Sequence, residues 1–382
     1  MSAPGGILRV LHTRVVTGVG GGPEKTILNS PRFLRGTAYE EYACYYRPPG
    51  DPGFAIIQQR AAEAECPLTG IDDSAPWDPS PLRATARLCR SLGIRMWHGH
   101  DYKSNLFGLL LQPFFRFHLV TTVHGWVKHT SRTPLYYAID RRSLRHYHLV
   151  IAVSSDLVDA CRDAGVPASR LLLIENGIDT DAFAPSARRD EGPRARRVIG
   201  CVGRLSPEKG FDIAIAALAH LVRAGHDVEL RIAGEGSEAE RLKAVAASQG
   251  IADRVKLLGY CADVRGLLDD VDVFCLSSLR EGLPNVVLEA MAMRRPIVAT
   301  SAGGMGAFGR DGKDMLLVAP GSADALADAL ARVLADPSLA DALAGAARAR
   351  AESDLSFRRR MRLMKEAYDR LVAPGPDHAL SR

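Results

Sequence analysis

Residues 198–223 read VIGCVGRLSPEKGFDIAIAALAHLVR. Residues 198–202 form a short, almost wholly apolar run, as expected of a strand buried on both faces. A loop with two glycines, a proline and three charges follows. The chain then resumes at helical spacing, which predicts an amphipathic helix over 209–223. This strand–loop–helix unit recurs. In the second half, strands are expected at 198–202, 228–233, 255–258, 272–276, 296–299 and 315–318. Helices are expected at 209–223, 236–248, 263–269, 285–293, 322–335 and 337–350. In the first half, strands are expected at 7–11, 41–46, 96–98, 119–122, 149–153 and 171–174, with helical stretches near 23–30, 54–64, 79–92, 103–112, 134–146 and 154–164. Strands alternating with helices imply parallel sheets covered on both faces, so the fold class is α/β.

The stretch 184–197, APSARRDEGPRARR, interrupts this rhythm with proline, arginine and acid and little apolar content, and reads as a linker. The expected organisation is a Rossmann-like domain over 1–184, a linker over 185–197, and a second Rossmann-like domain over 198–354. A C-terminal helix and tail over 355–382 are expected to return to the first domain. Two doubly wound domains of this kind are expected to bind ligand at the carboxyl ends of their strands.

The chain has 382 residues, and at roughly 150 residues per domain two domains fit the length. Hydrophobic residues make up 47% and charged residues 24%, a globular balance that excludes a disordered or fibrous chain. The net charge of +5 is too small to mark a dedicated nucleic-acid binder. Seven cysteines without a C-x-x-C pair read as reduced, buried thiols rather than as a zinc site or disulfide framework. The first apolar run, ILRVL, is too short for a signal peptide. No run approaches the roughly 18 apolar residues of a membrane span. A cytoplasmic protein is expected.

The chemistry-bearing residues fall in the loops after strands. Thr17 to Thr26 read TGVGGGPEKT, with Gly20, Gly21 and Gly22 ahead of Pro23 at a helix start. Free N–H groups at a helix start favour an anion, so the stretch reads either as a loop over a phosphate or as a tight strand–helix turn. Arg204 and Lys209, in GRLSPEKG over 203–210, place two cations where a diphosphate and its departing charge would be held. Ser278 to Ala292 read SLREGLPNVVLEAMA, with Pro284 opening a helix and Gly282 and Leu283 offering N–H groups. Glu281 and Glu289 then lie roughly 10–12 Å apart along that helix start. This suits a ligand with hydroxyls at both ends and a diphosphate between them. It suits a glycosidase acid/base pair less well, since those carboxyls sit about 5–9.5 Å apart across one bond. The segment HGHDYK, 98–103, reads as a loop lining the site with His100 and Lys103 toward an acceptor, or as packing and capping. His98 and His100 alone are a weak metal signal. Two D-x-D matches, Asp270 to Asp272 and Asp179 to Asp181, are read as structural.

Taken together, these pieces resemble glycosyltransferase family 4, of the GT-B fold. They are GGPE at 21–24, TVHGW at 122–126, VS at 153–154, NGID at 176–179, VGRLSPEKG at 202–210, AGEG at 233–236, LLGY at 257–260 and the E-x7-E element of Glu281 and Glu289. The resemblance implies a retaining transferase with a nucleotide-diphosphate sugar as co-substrate and no metal or other cofactor. It implies that Glu289 binds the ribose, Glu281 faces the donor sugar, and Arg204 and Lys209 hold the diphosphate and stabilise the leaving nucleotide. His124 would lie near the transferred sugar, Gly20 to Gly22 would close over the phosphates or the acceptor, and Gly203, Gly234, Gly282, Leu283 and Pro284 would line the donor site. The sequence departs from the family in GGMGAFGRDGKDM, 303–315: Ala307 stands where an acid is common and Met315 where glycine is common. Donor sugar and loop geometry are therefore left open.

The expected partners are the nucleotide sugar and a sugar or lipid-linked acceptor in polysaccharide, lipopolysaccharide or glycolipid synthesis, with no nucleic acid. Residues 113–146 hold six Lys/Arg against one acid, with Phe114, Phe115, Phe117, Trp126, Tyr136 and Tyr137. That composition suits an anionic membrane surface at the inner face, or amphipathic helices with aromatics in the core. The alternatives are a catalytically silent nucleotide-sugar-binding subunit, an epimerase of the same fold, or a sugar-phosphate synthase. E-x7-E with NGID argues against the epimerase.

Overall fold

The computed structural model describes residues 6–75, 78–125, 133–186 and 196–373. The chain divides into two compact units, Met1–Glu175 with Arg360–Arg382, and Asn176–Arg359.

The first unit holds seven strands: β1 (Leu8–Val15), β2 (Tyr39–Arg47), β3 (Leu68–Asp72), β4 (Met96–Gly99), β5 (His118–Val123), β6 (Leu149–Ala152) and β7 (Leu171–Leu173). Their order is β3-β2-β1-β4-β5-β6-β7, and every pairing is parallel. The order reverses direction between β1 and β4, where Val10 lies beside Met96 and His12 beside His98. That switch point opens a crevice at the strand carboxyl ends. The core is built from Leu11, Tyr46, Trp97, Phe117, Leu119 and Val150 among others. The C-terminal helix Phe357–Val372 straddles the division at 359/360 and contributes Tyr368, fully buried against the unit, to it.

The second unit holds β8 (Arg197–Val202), β9 (Val228–Ala233), β10 (Val255–Gly259), β11 (Val273–Leu276), β12 (Ile297–Thr300) and β13 (Leu316–Val318). The order is β10-β9-β8-β11-β12-β13, again parallel, with the switch point between β8 and β11. Two apolar layers cover the sheet, one centred on Ile215, Leu218, Leu230 and Leu326, the other on Phe274, Val287, Leu288 and Met291.

The structure differs from the sequence reading in several places. β3 was not expected; it is a short edge strand whose sequence, LTGID, lacks an apolar run. The units divide at 175/176 and 359/360, whereas the sequence placed boundaries at 184 and 354. Residues 176–183 pack on the second unit: Ile178 bridges Ser356, Phe183 lies against the apolar core, and Arg348 donates to the carbonyls of Phe183 (2.6 Å) and Thr180 (3.2 Å). Most of the expected linker, 187–195, lies outside the described residues. The helix expected from 209 begins instead at Phe211, after a 3₁₀ turn over Pro207–Lys209. Gly210 separates the two at φ +59°, where a Cβ would stand 2.3 Å from the Ser277 carbonyl oxygen. Six cysteines are buried, Cys261 is half-buried, and all seven are free thiols. Among the described residues no helix is long and apolar enough to cross a membrane.

Candidate active site

In the second unit the loops after β8 and β11 meet at the switch point. Arg204 is exposed. Lys209 forms an ion pair with Glu281, whose Oε1 also accepts from the Ser278 hydroxyl at 3.3 Å. The loops are tied together by backbone: the Leu279 N–H donates to the Glu208 carbonyl at 2.8 Å, and the Ser277 hydroxyl to the Lys209 carbonyl at 3.0 Å. Glycine permits the close approaches. A Cβ on Gly234, at φ +146°, would lie 1.8 Å from the Gly203 carbonyl oxygen, and one on Gly303, at φ +54°, 2.0 Å from the Glu281 carbonyl oxygen. Gly304 donates to that same carbonyl at 3.0 Å. The Gly304 N–H therefore holds the Glu281 backbone, and Gly303 leaves room for that approach.

Pro284 is the N-cap of the helix Asn285–Ala292, whose first turn carries no acidic residue. Gly282 is exposed, with open space where a Cβ would stand. Leu283 is buried. Glu289 is buried on that helix, 3% exposed, a carboxylate inside an otherwise apolar layer. The structure thus brings Arg204, Lys209, Glu281, Gly203, Gly234, Gly282, Leu283 and Pro284 onto the loops and helix start around one switch point, with Glu289 one turn further along that helix. Of the two departures, Met315 is fully buried in the core and Ala307 is exposed on the helix Gly304–Phe308. Asp270 pairs with Arg231, and Asp272 accepts from Arg197 Nη1 (2.9 Å) and the Val198 N–H (2.7 Å). Both carboxylates of that D-x-D match are therefore engaged in structural contacts.

In the first unit the glycine loop after β1 leads into the helix Gly22–Leu34. Gly18 N–H donates to Asp51 at 2.7 Å, and Arg60 to the Val19 carbonyl at 2.8 Å. The Gly21 N–H, offered to a phosphate by the sequence reading, donates instead to Glu24 at 2.6 Å, and Glu24 pairs with Arg14 at 2.5 Å. Burial pushes the Glu24 carboxyl up, but the Arg14 guanidinium and the backbone donors outweigh it and hold it below its ordinary value. This helix start carries its own anion. Lys103, expected toward an acceptor, is buried and paired with both oxygens of Asp73 at 2.5 and 2.6 Å. Asp101 caps the helix Tyr102–Phe115 and accepts the Val15 N–H at 2.6 Å.

His100 is also buried, and it holds His124 rather than standing open: its Nδ1 lies 3.0 Å from His124 Nε2. Burial first, then neighbouring positive groups, pushes His98, His100 and His124 well below the ordinary imidazole value, so all three are neutral at pH 7. His12, His98 and His100 come close enough together to hold a metal ion. Their ring planes argue otherwise. His98 stacks on His100 with centroids 4.5 Å apart and planes 11° apart. Imidazole binds a metal in its own ring plane, and two near-parallel planes do not meet at a common ion. His12 and Glu41, inside β1 and β2, were not singled out in the sequence. A histidine directly after the apolar run ILRVL was the available signal.

Two parallel sheets, each with its polar residues gathered at a switch point, define the GT-B architecture. Residues 196–336 match the family described as glycosyl transferases group 1, and residues 20–182 match glycosyltransferase family 4. The chain is 30% identical over 286 residues to an alpha-D-kanosaminyltransferase of Streptomyces kanamyceticus, covering 69% of this chain and 74% of that one. It is 32% identical over 295 residues to a GDP-mannose-dependent alpha-(1-6)-phosphatidylinositol monomannoside mannosyltransferase of Mycolicibacterium smegmatis, covering 71% and 75%. HepE of Anabaena, solved in complex with UDP, has the same fold: TM-score 0.79 at 21% identity, over 95% of this chain and 100% of that one. The chain belongs to glycosyltransferase family 4 and is a glycosyltransferase.

Proposed function

We propose that this enzyme moves a sugar from a nucleotide-diphosphate sugar to a sugar or lipid-linked acceptor with retention of configuration and without a metal. The observation that carries the reading is the pairing of Lys209 with Glu281 beside Arg204, on glycine-walled loops at the β8/β11 switch point. A diphosphate needs positive charge, which Arg204 and Lys209 supply. A sugar and a ribose need hydroxyl acceptors, which Glu281 and Glu289 supply. On this reading the second unit binds the donor. The first unit binds the acceptor and carries His124, which accepts from a sugar hydroxyl.

The acceptor hydroxyl attacks the anomeric carbon on the face the nucleotide leaves. The bond from that carbon to the diphosphate oxygen breaks as the bond to the acceptor oxygen forms. The acceptor proton passes to the departing diphosphate, whose remaining charge Arg204 and Lys209 stabilise. The placement we propose is cytoplasmic, with the acceptor presented at an anionic membrane face. Leu106, Leu110 and Phe114, spaced four apart on the helix Tyr102–Phe115, are 39, 48 and 79% exposed, and exposed Arg116 follows them. An apolar stripe bordered by a cation fits such a surface. Trp126, part of the same sequence expectation, lies outside the described residues.

The test is binding and slow hydrolysis across a panel of nucleotide sugars, without acceptor and with EDTA present. Micromolar binding of one donor with slow sugar release supports the reading and names the donor. Binding or release that requires added metal overturns the metal-independent mechanism.

A further inference from the structure

Glu41 is buried on β2, beside the strand that carries His12. Its Oε1 lies 3.0 Å from His12 Nε2. His12 Nδ1 lies 2.9 Å from His100 Nε2, and His100 Nδ1 lies 3.0 Å from His124 Nε2. These three links use both ring nitrogens of His12 and of His100. A neutral imidazole has one proton, so it donates at one nitrogen and accepts at the other, and the partner at one nitrogen decides the state of the other. A carboxylate accepts only. With a single proton, His12 donates from Nε2 to Glu41 and accepts at Nδ1. His100 in turn donates from Nε2 and accepts at Nδ1, and His124 donates from Nε2.

We propose that Glu41 is a positioning residue for His124: acting through His12 and His100, it fixes the proton of His124 on Nε2 and leaves the Nδ1 lone pair to accept a hydroxyl of the sugar substrate. The inference rests on His124 being the substrate-facing group of the reading above.

The surroundings support this polarity. Arg360 is buried in the same unit, and its guanidinium and the Glu41 carboxylate attract each other; burial nonetheless lowers Arg360 to about 10. The reverse polarity would need a proton on Glu41 or a second proton on His12. His98 stays outside the chain of donors, its nitrogens 2.7 Å from the Tyr368 hydroxyl and 2.8 Å from the Thr122 hydroxyl; it stacks on His100 and lies tilted against His12. Arg14, paired with Glu24, donates to the His100 carbonyl at 3.1 Å and adds positive charge that keeps His100 and His124 neutral.

The experiment is long-range proton–nitrogen correlation on the full chain with ¹⁵N-labelled histidine, ligand-free at pH 7.5, with signals assigned by single His substitutions. The wild type should show His12, His100 and His124 each protonated on Nε2. In Glu41→Met the carboxylate acceptor is gone, and His124 should become a mixture of tautomers. Turnover should fall about 10–100-fold, the usual effect of removing a residue that orients an active-site histidine, while donor KM changes little. Glu41→Gln, whose amide oxygen can accept from His12, should restore both the pattern and most of the turnover. A wild-type His124 protonated on Nδ1, or an unchanged His124 pattern in Glu41→Met, overturns the proposal. Should Glu41→Met not fold, the wild-type and Glu41→Gln spectra decide alone. The nitrogen pattern is read without turnover, so absence of transfer would sink the functional reading and leave the relay standing.

Discussion

Lys209 and Glu281 answer each other's charge across the two loops of the second-unit switch point, with the side chains 20% and 13% exposed. On the proposed reading, the substrate would later share the pair. A lysine ammonium has three donors, so a diphosphate can bind Lys209 while Glu281 remains beside it. On the proposed reading, the pair sets how far the carboxylate that faces the sugar stands from the leaving group.

Replacing Glu281 by Ala should abolish transfer far more than nucleotide binding. A loss of about 10²–10³ in kcat is the scale expected when a preorganised polar group at the reacting sugar is removed. Affinity for the nucleotide diphosphate should change less than about tenfold, because Arg204 and Lys209 remain. Steady-state rates and calorimetric titration check this. Transfer that survives in Glu281→Ala would show that Glu281 has been misassigned.

Gly303→Ala tests the close packing behind the Glu281 backbone. The substitution places a Cβ on the Glu281 carbonyl at a φ that side chains rarely adopt. Strain of about 1–3 kcal/mol is expected, seen as a lower urea midpoint with unchanged m-value. Turnover should fall with it, since the loop that carries Glu281 must shift. A midpoint and turnover equal to wild type would contradict the account.

The buried histidines make stability depend on pH in a definite direction. His98 and His100 are held well below the ordinary imidazole value by burial first and by neighbouring positive groups second. His118 and His148 are lowered in the same direction, mainly by burial. The unfolded chain takes up protons below about pH 6.5 that the fold excludes. Their contribution is complete above that value and is lost as pH falls below it. Asp101, raised mainly by burial, works in the opposite sense near ordinary carboxylate values. Unfolding midpoints at pH 7.5 and 5.5 should therefore differ, with the lower at 5.5. Equal midpoints would contradict neutral burial of the histidines.

The exposed apolar stripe gives a prediction of its own. Leu110→Ser with Phe114→Ser should weaken binding to anionic vesicles at least about tenfold, because burying one such side chain contributes about 1.5–3 kcal/mol. Hydrolysis of donor in solution should not change. Vesicle flotation and the acceptor-free assay separate the two. Undiminished flotation would remove the membrane from the account.

The parallel α/β architecture was legible because its central strands are continuous apolar runs. β3 escaped because an edge strand reading LTGID has neither a continuous apolar run nor a clean alternation. The second-unit site was legible as well: its polar residues sit in loops with glycines and prolines that mark turns. The first-unit site was less so. Glu41 and His12 lie within strands, and only the register that sets His12 beside His98 reveals them. Lys103 and the Gly21 N–H were offered to ligands, yet Asp73 and Glu24, distant or overlooked in sequence, engage them. A pairing across the fold decides the Lys103 case, whereas Glu24 stands at capping-box spacing, three residues after Gly21.

The most direct test of the whole account is calorimetric titration of the donor's nucleotide diphosphate into wild type and the Arg204→Ala/Lys209→Ala double variant. A charge-assisted hydrogen bond contributes about 1.5–3 kcal/mol, and each 1.4 kcal/mol is about tenfold in affinity. The account predicts that the double variant, unfolding at the wild-type midpoint, loses about a hundredfold or more in affinity and loses transfer with it. Affinity and turnover equal to wild type would place the nucleotide elsewhere and contradict the account.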